Sequence, residues 1–143
     1  MSVAVIAGSK SDQAVVDEVV KALTDLQVPH EVKFLSAHRN PGGLRDYVLG
    51  SKAKVFIAIA GLSAHLPGTI AALGTAPVIG VPVAVKLNGL DSLLSIVQMP
   101  PGVPVACVGI DAGRNAGILA AEMLAVSDPE LKGRLEAMRR AWL

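Results

Sequence analysis

Cysteine is nearly absent from this chain and charge is scarce. Cys107 is the only cysteine among 143 residues. That excludes an intrachain disulfide framework and any cysteine-based structural zinc site. Charged side chains make up 17% of the chain, against a usual share of roughly 25%. Disordered chains are charge-rich and apolar-poor, whereas 52% of these residues are hydrophobic. The net charge is +1. A general nucleic-acid binder needs a basic excess to displace counterions, so no nucleic-acid partner is expected. No charged segment followed by an apolar stretch opens the sequence. We therefore expect no secretory leader and a cytoplasmic location. The length suits one domain.

The scarcity is concentrated. Between Val55 and Val85 there is no Asp, Glu, Lys or Arg. A membrane span is the first reading to test, since about 20 apolar residues suffice. Gly61, Gly68, Gly74 and Gly80, with Pro67, Pro77 and Pro82, break the stretch too often for one continuous helix. Short buried strands and turns fit better, and no membrane partner is expected. A chain of this size has little interior in which to hide so much uncharged sequence. Core plus subunit interface, hence a homo-oligomer, is the expectation.

Short apolar runs alternate with helical segments. Ser2–Ala7, His30–Leu35, Lys54–Ala60, Pro77–Gly80 and Val103–Val108 read as strands. Ser11–Leu26 has Val15, Val16, Val19, Val20, Leu23 and Leu26 at helical spacing, with Ser11 or Asp12 placed to cap it. Pro41–Lys52 is a weaker helix, lowered by Gly42 and Gly43. Ala64–Leu73, Asn88–Val97 and Asn115–Leu124 also read as helices. Leu90, Leu93, Leu94 and Val97 share one side of the second of these. Pro129–Leu143 is a charged amphipathic helix set apart by Ser127-Asp128-Pro129. Such alternation implies right-handed crossovers and a mainly parallel five-stranded sheet covered on both faces. Ligands of such sheets bind at the carboxyl ends of the strands, near the switch in strand order.

The turns after the first three strands are therefore the places to look. Gly8-Ser9-Lys10-Ser11-Asp12 offers backbone approach, hydroxyls and the free N–H groups of a helix start, which together suit an anion. It is not a Walker A loop or a dinucleotide fingerprint, and simple helix capping is the competing reading. Asp12 suits ribose hydroxyls rather than phosphate. Ser36-Ala37-His38-Arg39-Asn40-Pro41 pairs a group able to give and take a proton with a bidentate anion binder. His65 lies in an otherwise apolar, glycine-flanked turn; a satisfied buried histidine and a chemical role are both open. No nucleophile elbow, carboxylate dyad or metal-ligand cluster is present.

Four strings carry more than these readings. Gly8–Asp12, Ser36–Pro41, Ala60–Gly68 (AGLSAHLPG) and Lys86–Pro100 (KLNGLDSLLSIVQMP) are similar, in order and spacing, to those of the PurE family, the 5-carboxyaminoimidazole ribonucleotide mutases of purine biosynthesis. The chain departs from the family's usual strings at Gln13, at Leu62-Ser63 and at Arg114. The resemblance implies a three-layer, flavodoxin- or Rossmann-like α/β domain over residues 1–126. Residues 127–143 would be a helical extension packing on a neighbouring subunit of a homo-octamer. It implies Ser9, Asp12 and Arg39 on the ribose and phosphate of a small ribonucleotide. Ser36, Ala37, Ala60, Gly61, Ser63 and Leu66 would line the pocket. His38 would shuttle a proton and His65 would sit beside the reacting carboxylate. The implied reaction moves a carboxyl group from the exocyclic nitrogen to C4 of an aminoimidazole ribonucleotide, without metal, organic cofactor or ATP. A direct carboxylase using free carbon dioxide, and a non-catalytic nucleotide-binding module, are the alternatives.

Overall fold

Five parallel strands form one sheet in the order β2–β1–β3–β4–β5. They are β1 (Val3–Ala7), β2 (His30–Phe34), β3 (Val55–Ala60), β4 (Val78–Pro82) and β5 (Ala106–Cys107). The helices are α1 (Gln13–Asp25), α2 (Pro41–Gly50), α3 (Leu66–Leu73), α4 (Leu90–Val97), α5 (Gly113–Ala125) and α6 (Pro129–Arg140). The computed structural model describes residues 2–142. No helix among them is long and apolar enough to cross a membrane.

The three central strands are buried along their whole length, which explains why they read as unbroken apolar runs. Side chains alternate between two layers. Val5, Ala7, Ile57, Ile59, Ile79 and Val81 pack beneath α1 and α5. Ala4, Ile6, Phe56, Ala58 and Val78 meet Leu44 and Val48 of α2, Ile70 of α3 and Ile96 of α4. Much of the uncharged stretch from Val55 to Val85 is thus the middle of this chain's own sheet. On the first layer α1 and α5 approach backbone to backbone. A Cβ at Gly117 would stand 2.8 Å from Ala22 Cβ and 3.0 Å from Val19 O, and one at Gly113 would collide with Val15 O.

Two expectations change. The fifth strand was expected over Val103–Val108, but only Ala106 and Cys107 pair with β4; Pro104 has no N–H for a ladder, and prolines sit at sheet edges for that reason. The C-terminal helix is not detached. Leu131 and Leu135 are buried in the α1–α5 core, Arg134 Nε donates to Leu26 O at 2.8 Å, and Arg139 pairs with Glu122. Asp128 caps this helix by accepting from Leu131 N at 3.0 Å. On α4 the side marked by Leu90, Leu94 and Val97 is not the one that is buried. Ser92 and Ile96 are fully buried, while Leu90 is 52% and Leu94 and Val97 are each 47% exposed.

At the other edge of the sheet, β2 carries polar cover. Tyr47 Oη donates to Glu31 Oε1 at 2.5 Å, and Lys33 Nζ lies 3.6 Å from Glu31 Oε2. Burial, foremost, and the neighbouring Glu31 hold the Tyr47 phenol well above its ordinary range. The chain crosses from β1 to β2 on one side and from β2 back past β1 to β3 on the other. The crevice where the order reverses is therefore above the carboxyl ends of β1 and β3.

Candidate active site

Each strand feeds that crevice with a turn whose shape is fixed by its own short-range bonds. After β1, Ser9 is in extended conformation, and its Oγ accepts from Ser11 N at 3.2 Å and from Ser11 Oγ at 2.9 Å. Ser9, rather than Ser11 or Asp12, is thus the cap. It opens a 3₁₀ turn over Lys10–Asp12 that leads into α1. Asp12 makes no capping bond and is only 7% exposed. Burial, then the negative charge of Asp111, raise its carboxyl above the ordinary carboxylate value. A Cβ at Gly8 would meet no atom within 4 Å, so packing does not require this glycine. What it keeps open is the space in front of the turn.

After β2, Ser36 Oγ accepts from Arg39 N at 3.2 Å and Ser36 O from Asn40 N at 3.0 Å. Asn40 then caps α2 through Gly43 N at 3.0 Å, with Pro41 in the first turn. The turn is closed around its own backbone, and His38 and Arg39 project from it, both exposed.

After β3, Ser63 takes a left-handed φ of 45°, which non-glycine residues seldom adopt. His65 N–H donates to Ser63 O at 2.5 Å, and His65 O accepts from Thr69 N and Thr69 Oγ1, each at 2.9 Å. The helix expected from Ala64 starts instead at Leu66, with His65 in the capping position. The backbone of His65 is thus fastened on both sides, and its exposed imidazole is left for other work.

Two turns that are 27 residues apart in sequence meet through their imidazoles. His38 Nε2 lies 2.8 Å from His65 Nδ1, with ring centroids 4.9 Å apart and planes at 67°. Such a bond needs one donor and one acceptor, so at least one of the two rings is neutral while it persists. Around the pair is a cavity of ≈ 330 Å³, within the size range of small-molecule sites. All the residues nominated from sequence line it: Ser9, Asp12, Ser36, Ala37, His38, Arg39, Ala60, Gly61, Ser63, His65 and Leu66. Arg39 is the one permanent cation among the lining residues and Asp12 the one carboxylate.

Sequence reasoning missed three participants. Val85, in the turn after β4, also lines the cavity; its position beyond the next strand end was the available signal. Asp111, which acts on Asp12, accepts from Ala84 N at 3.0 Å and so joins the turns after β4 and β5. Ser92 bonds to the carbonyls of Gly61 and Val83 from below.

Fold and cavity define a doubly wound α/β enzyme with a histidine pair at its switch point. Comparison with known proteins narrows this. A family model described as AIR carboxylase matches residues 2–142. The N5-carboxyaminoimidazole ribonucleotide mutase of Methanocaldococcus jannaschii is 55% identical over 133 residues, covering 93% of this chain and 85% of that protein. The mutase of the same name from Pyrococcus abyssi is 53% identical over 141 residues, covering 96% and 81%. A crystal structure of Treponema denticola PurE superimposes with a TM-score of 0.86 at 25% identity, covering 97% of this chain and 89% of that one. The chain belongs to the AIR carboxylase (PurE) family.

Proposed function

We propose that this chain is an N5-carboxyaminoimidazole ribonucleotide mutase and that His38 moves the proton on which the reaction turns. The observation that carries the reading is the 2.8 Å contact of His38 with His65 inside the cavity lined by the first three motif strings. Arg39, Ser9 and the N–H groups of the first turn suit the phosphate, and Asp12 suits the ribose hydroxyls. His65 faces the carboxylate.

The steps follow from the chemistry of a carbamate. His38 protonates the exocyclic nitrogen, and the bond from nitrogen to the carboxyl carbon breaks with its electron pair left on nitrogen. Carbon dioxide departs. The aminoimidazole is then an enamine-like nucleophile, and its C4 attacks the carbon dioxide to form the new carbon–carbon bond. The hydrogen on C4 returns to His38 as a proton, restoring the aromatic ring. One proton is lent and one recovered, so no external acid, oxidant or ATP enters the balance. Holding carbon dioxide against C4 makes the second step effectively unimolecular, worth up to about 7–11 kcal/mol of barrier. A well-placed acid/base adds roughly 10²–10⁴-fold.

Retention of the gas needs uncharged walls. Ala64 and Leu66 are buried, but Leu62 is 59% exposed and Val85 is 49% exposed. Beside them α4 turns Leu90, Leu94 and Val97 outward, and Leu87, in the 3₁₀ turn just before it, is 74% exposed. A second copy of the chain seated on this face would cover it, which supports a homo-oligomer, with the octamer as the assembly that the family resemblance implies. Residues 127–143 would contribute a further contact, where Trp142 stands at 66% exposure and Val126, just before the segment, at 89%. A cytoplasmic location is part of the same reading.

The test is a choice of substrates. At low bicarbonate, purified protein should convert the N-carboxylated nucleotide to its C4 isomer without ATP. Turnover of aminoimidazole ribonucleotide alone, rising with bicarbonate, would instead mark the direct carboxylase. Binding of either without turnover would mark a non-catalytic module. The mutase rate should fall at both extremes of pH, because the shuttle must donate and then accept.

A further inference from the structure

Ser92 is 0% exposed, sits on α4 and takes no part in the steps above. A serine within a helix ordinarily turns its hydroxyl to solvent or to the carbonyl four residues back. This one leaves its helix. Its Oγ lies 2.7 Å from Gly61 O and 3.0 Å from Val83 O. Those two carbonyls stand where β3 and β4 part. The last ladder bond between them runs from Val83 N to Ala60 O at 3.0 Å, and beyond it the chains diverge into two pocket-lining turns. Among the described residues the Ser92 hydroxyl is the hydrogen-bond partner found for Gly61 O. Gly61 is itself confined, since a Cβ there would lie 2.7 Å from Val85 Cγ2.

We infer that Ser92 is a positioning residue, which sets the Gly61–Leu62 peptide plane at the floor of the cavity and through it the turn that carries His65. The physical link is short. The peptide is planar and trans, so its N–H runs opposite to its C=O. Drawing the Gly61 carbonyl down onto Ser92 turns the Leu62 N–H the other way, and that N–H has no partner among the described residues. Leu62 lines the cavity. The hydroxyl has one proton and two acceptors, so it ties the fork of β3 and β4 rather than one strand. An alanine here would pack, but would leave the buried Val83 carbonyl and the half-buried Gly61 carbonyl without this donor.

The inference rests on the mutase reading for its kinetic readout, and has a second readout that does not. In Ser92→Ala, kcat for the N-carboxylated nucleotide should fall about 10- to 100-fold, the scale of a displaced catalytic turn, while KM moves less than about threefold. Ser95→Ala, the same change on the same helix, should leave both unaltered. Ser92→Ala within twofold of the parent kcat would overturn the inference, as would a rise in KM with kcat kept. Should Ser92→Ala fail to fold, Ser92→Cys keeps the volume and a weaker donor, and should show the same split with a smaller loss. If the parent protein turns over neither nucleotide, the mutase reading fails, and amide hydrogen exchange decides the inference alone. Exchange at the His65 and Val83 amides should quicken about tenfold or more in Ser92→Ala, with α1 unchanged. Equal exchange at those amides would refute it.

Discussion

On one face of the sheet, α1 and α5 lie so close that Gly117 has no room for a methyl group, and α6 adds Leu131 and Leu135 to the same core. On the other face, α4 buries Ser92 and Ile96 and shows Leu90, Leu94 and Val97 to the outside. Both layers cover the same strands. The first completes its apolar surface within one chain, and the second does not. The aliphatic surplus on α4 has a use only when something apolar covers it. The candidate site opens beside the incomplete layer, through Leu62 and Val85.

Substitutions can separate these regions. The largest effect belongs to the imidazole. His38→Asn should lower turnover by about 10²- to 10⁴-fold while keeping nucleotide affinity and melting temperature. Calorimetric titration and thermal scans beside the rate assay check this, and full activity would remove His38 from the mechanism. Next comes the completed layer. Gly117→Val forces side-chain atoms between α5 and Val19 and Ala22, and should cost about 1–3 kcal/mol in urea unfolding, with kcat intact where the protein is folded. In the incomplete layer, Leu90→Glu with Leu94→Glu should change the stability of the dilute chain by no more than about 0.5 kcal/mol. The light-scattering mass should nevertheless fall to that of one chain. An unchanged mass would show that α4 is not the contact.

The smallest effect concerns Asp12. Its carboxyl is held above the ordinary value by burial and then by Asp111. Burial here disfavours the charged form, so the folded state binds the proton more tightly than the unfolded one. The stability penalty is therefore present at neutral pH and disappears as pH falls from the folded value to below the unfolded value, 3.8. Asp12→Asn should be slightly more stable than the parent at pH 7, with the gain shrinking toward pH 4 in denaturant titrations. Its affinity for the ribonucleotide should drop.

The central architecture was legible because β1, β3 and β4 are short apolar runs punctuated by glycine and proline, and α1 shows its face at helical spacing. The three site turns were legible for the same reason: strand ends locate them. What spacing could not show is that His38 and His65 touch, since contact between the second and third turns is a property of strand order. The direction in which the apolar side of α4 faces was not legible. Periodicity finds an apolar side but not the direction it faces, and here two leucines and a valine look away from the sheet while a serine looks in. Asp111 and Ser92 escaped notice because each acts on a backbone group of another turn, and a hydroxyl or carboxylate used that way carries no motif.

Neither margin of the sheet invites a foreign strand. One ends in β5, where two residues are paired; the other is guarded by the Glu31, Lys33 and Tyr47 cluster. A rim that is too brief on one side and ionic on the other is a poor template for edge-on stacking. Helices rather than strand edges are thus the surfaces left for any contact between copies, and an aliphatic-rich sequence is spared the route to fibres.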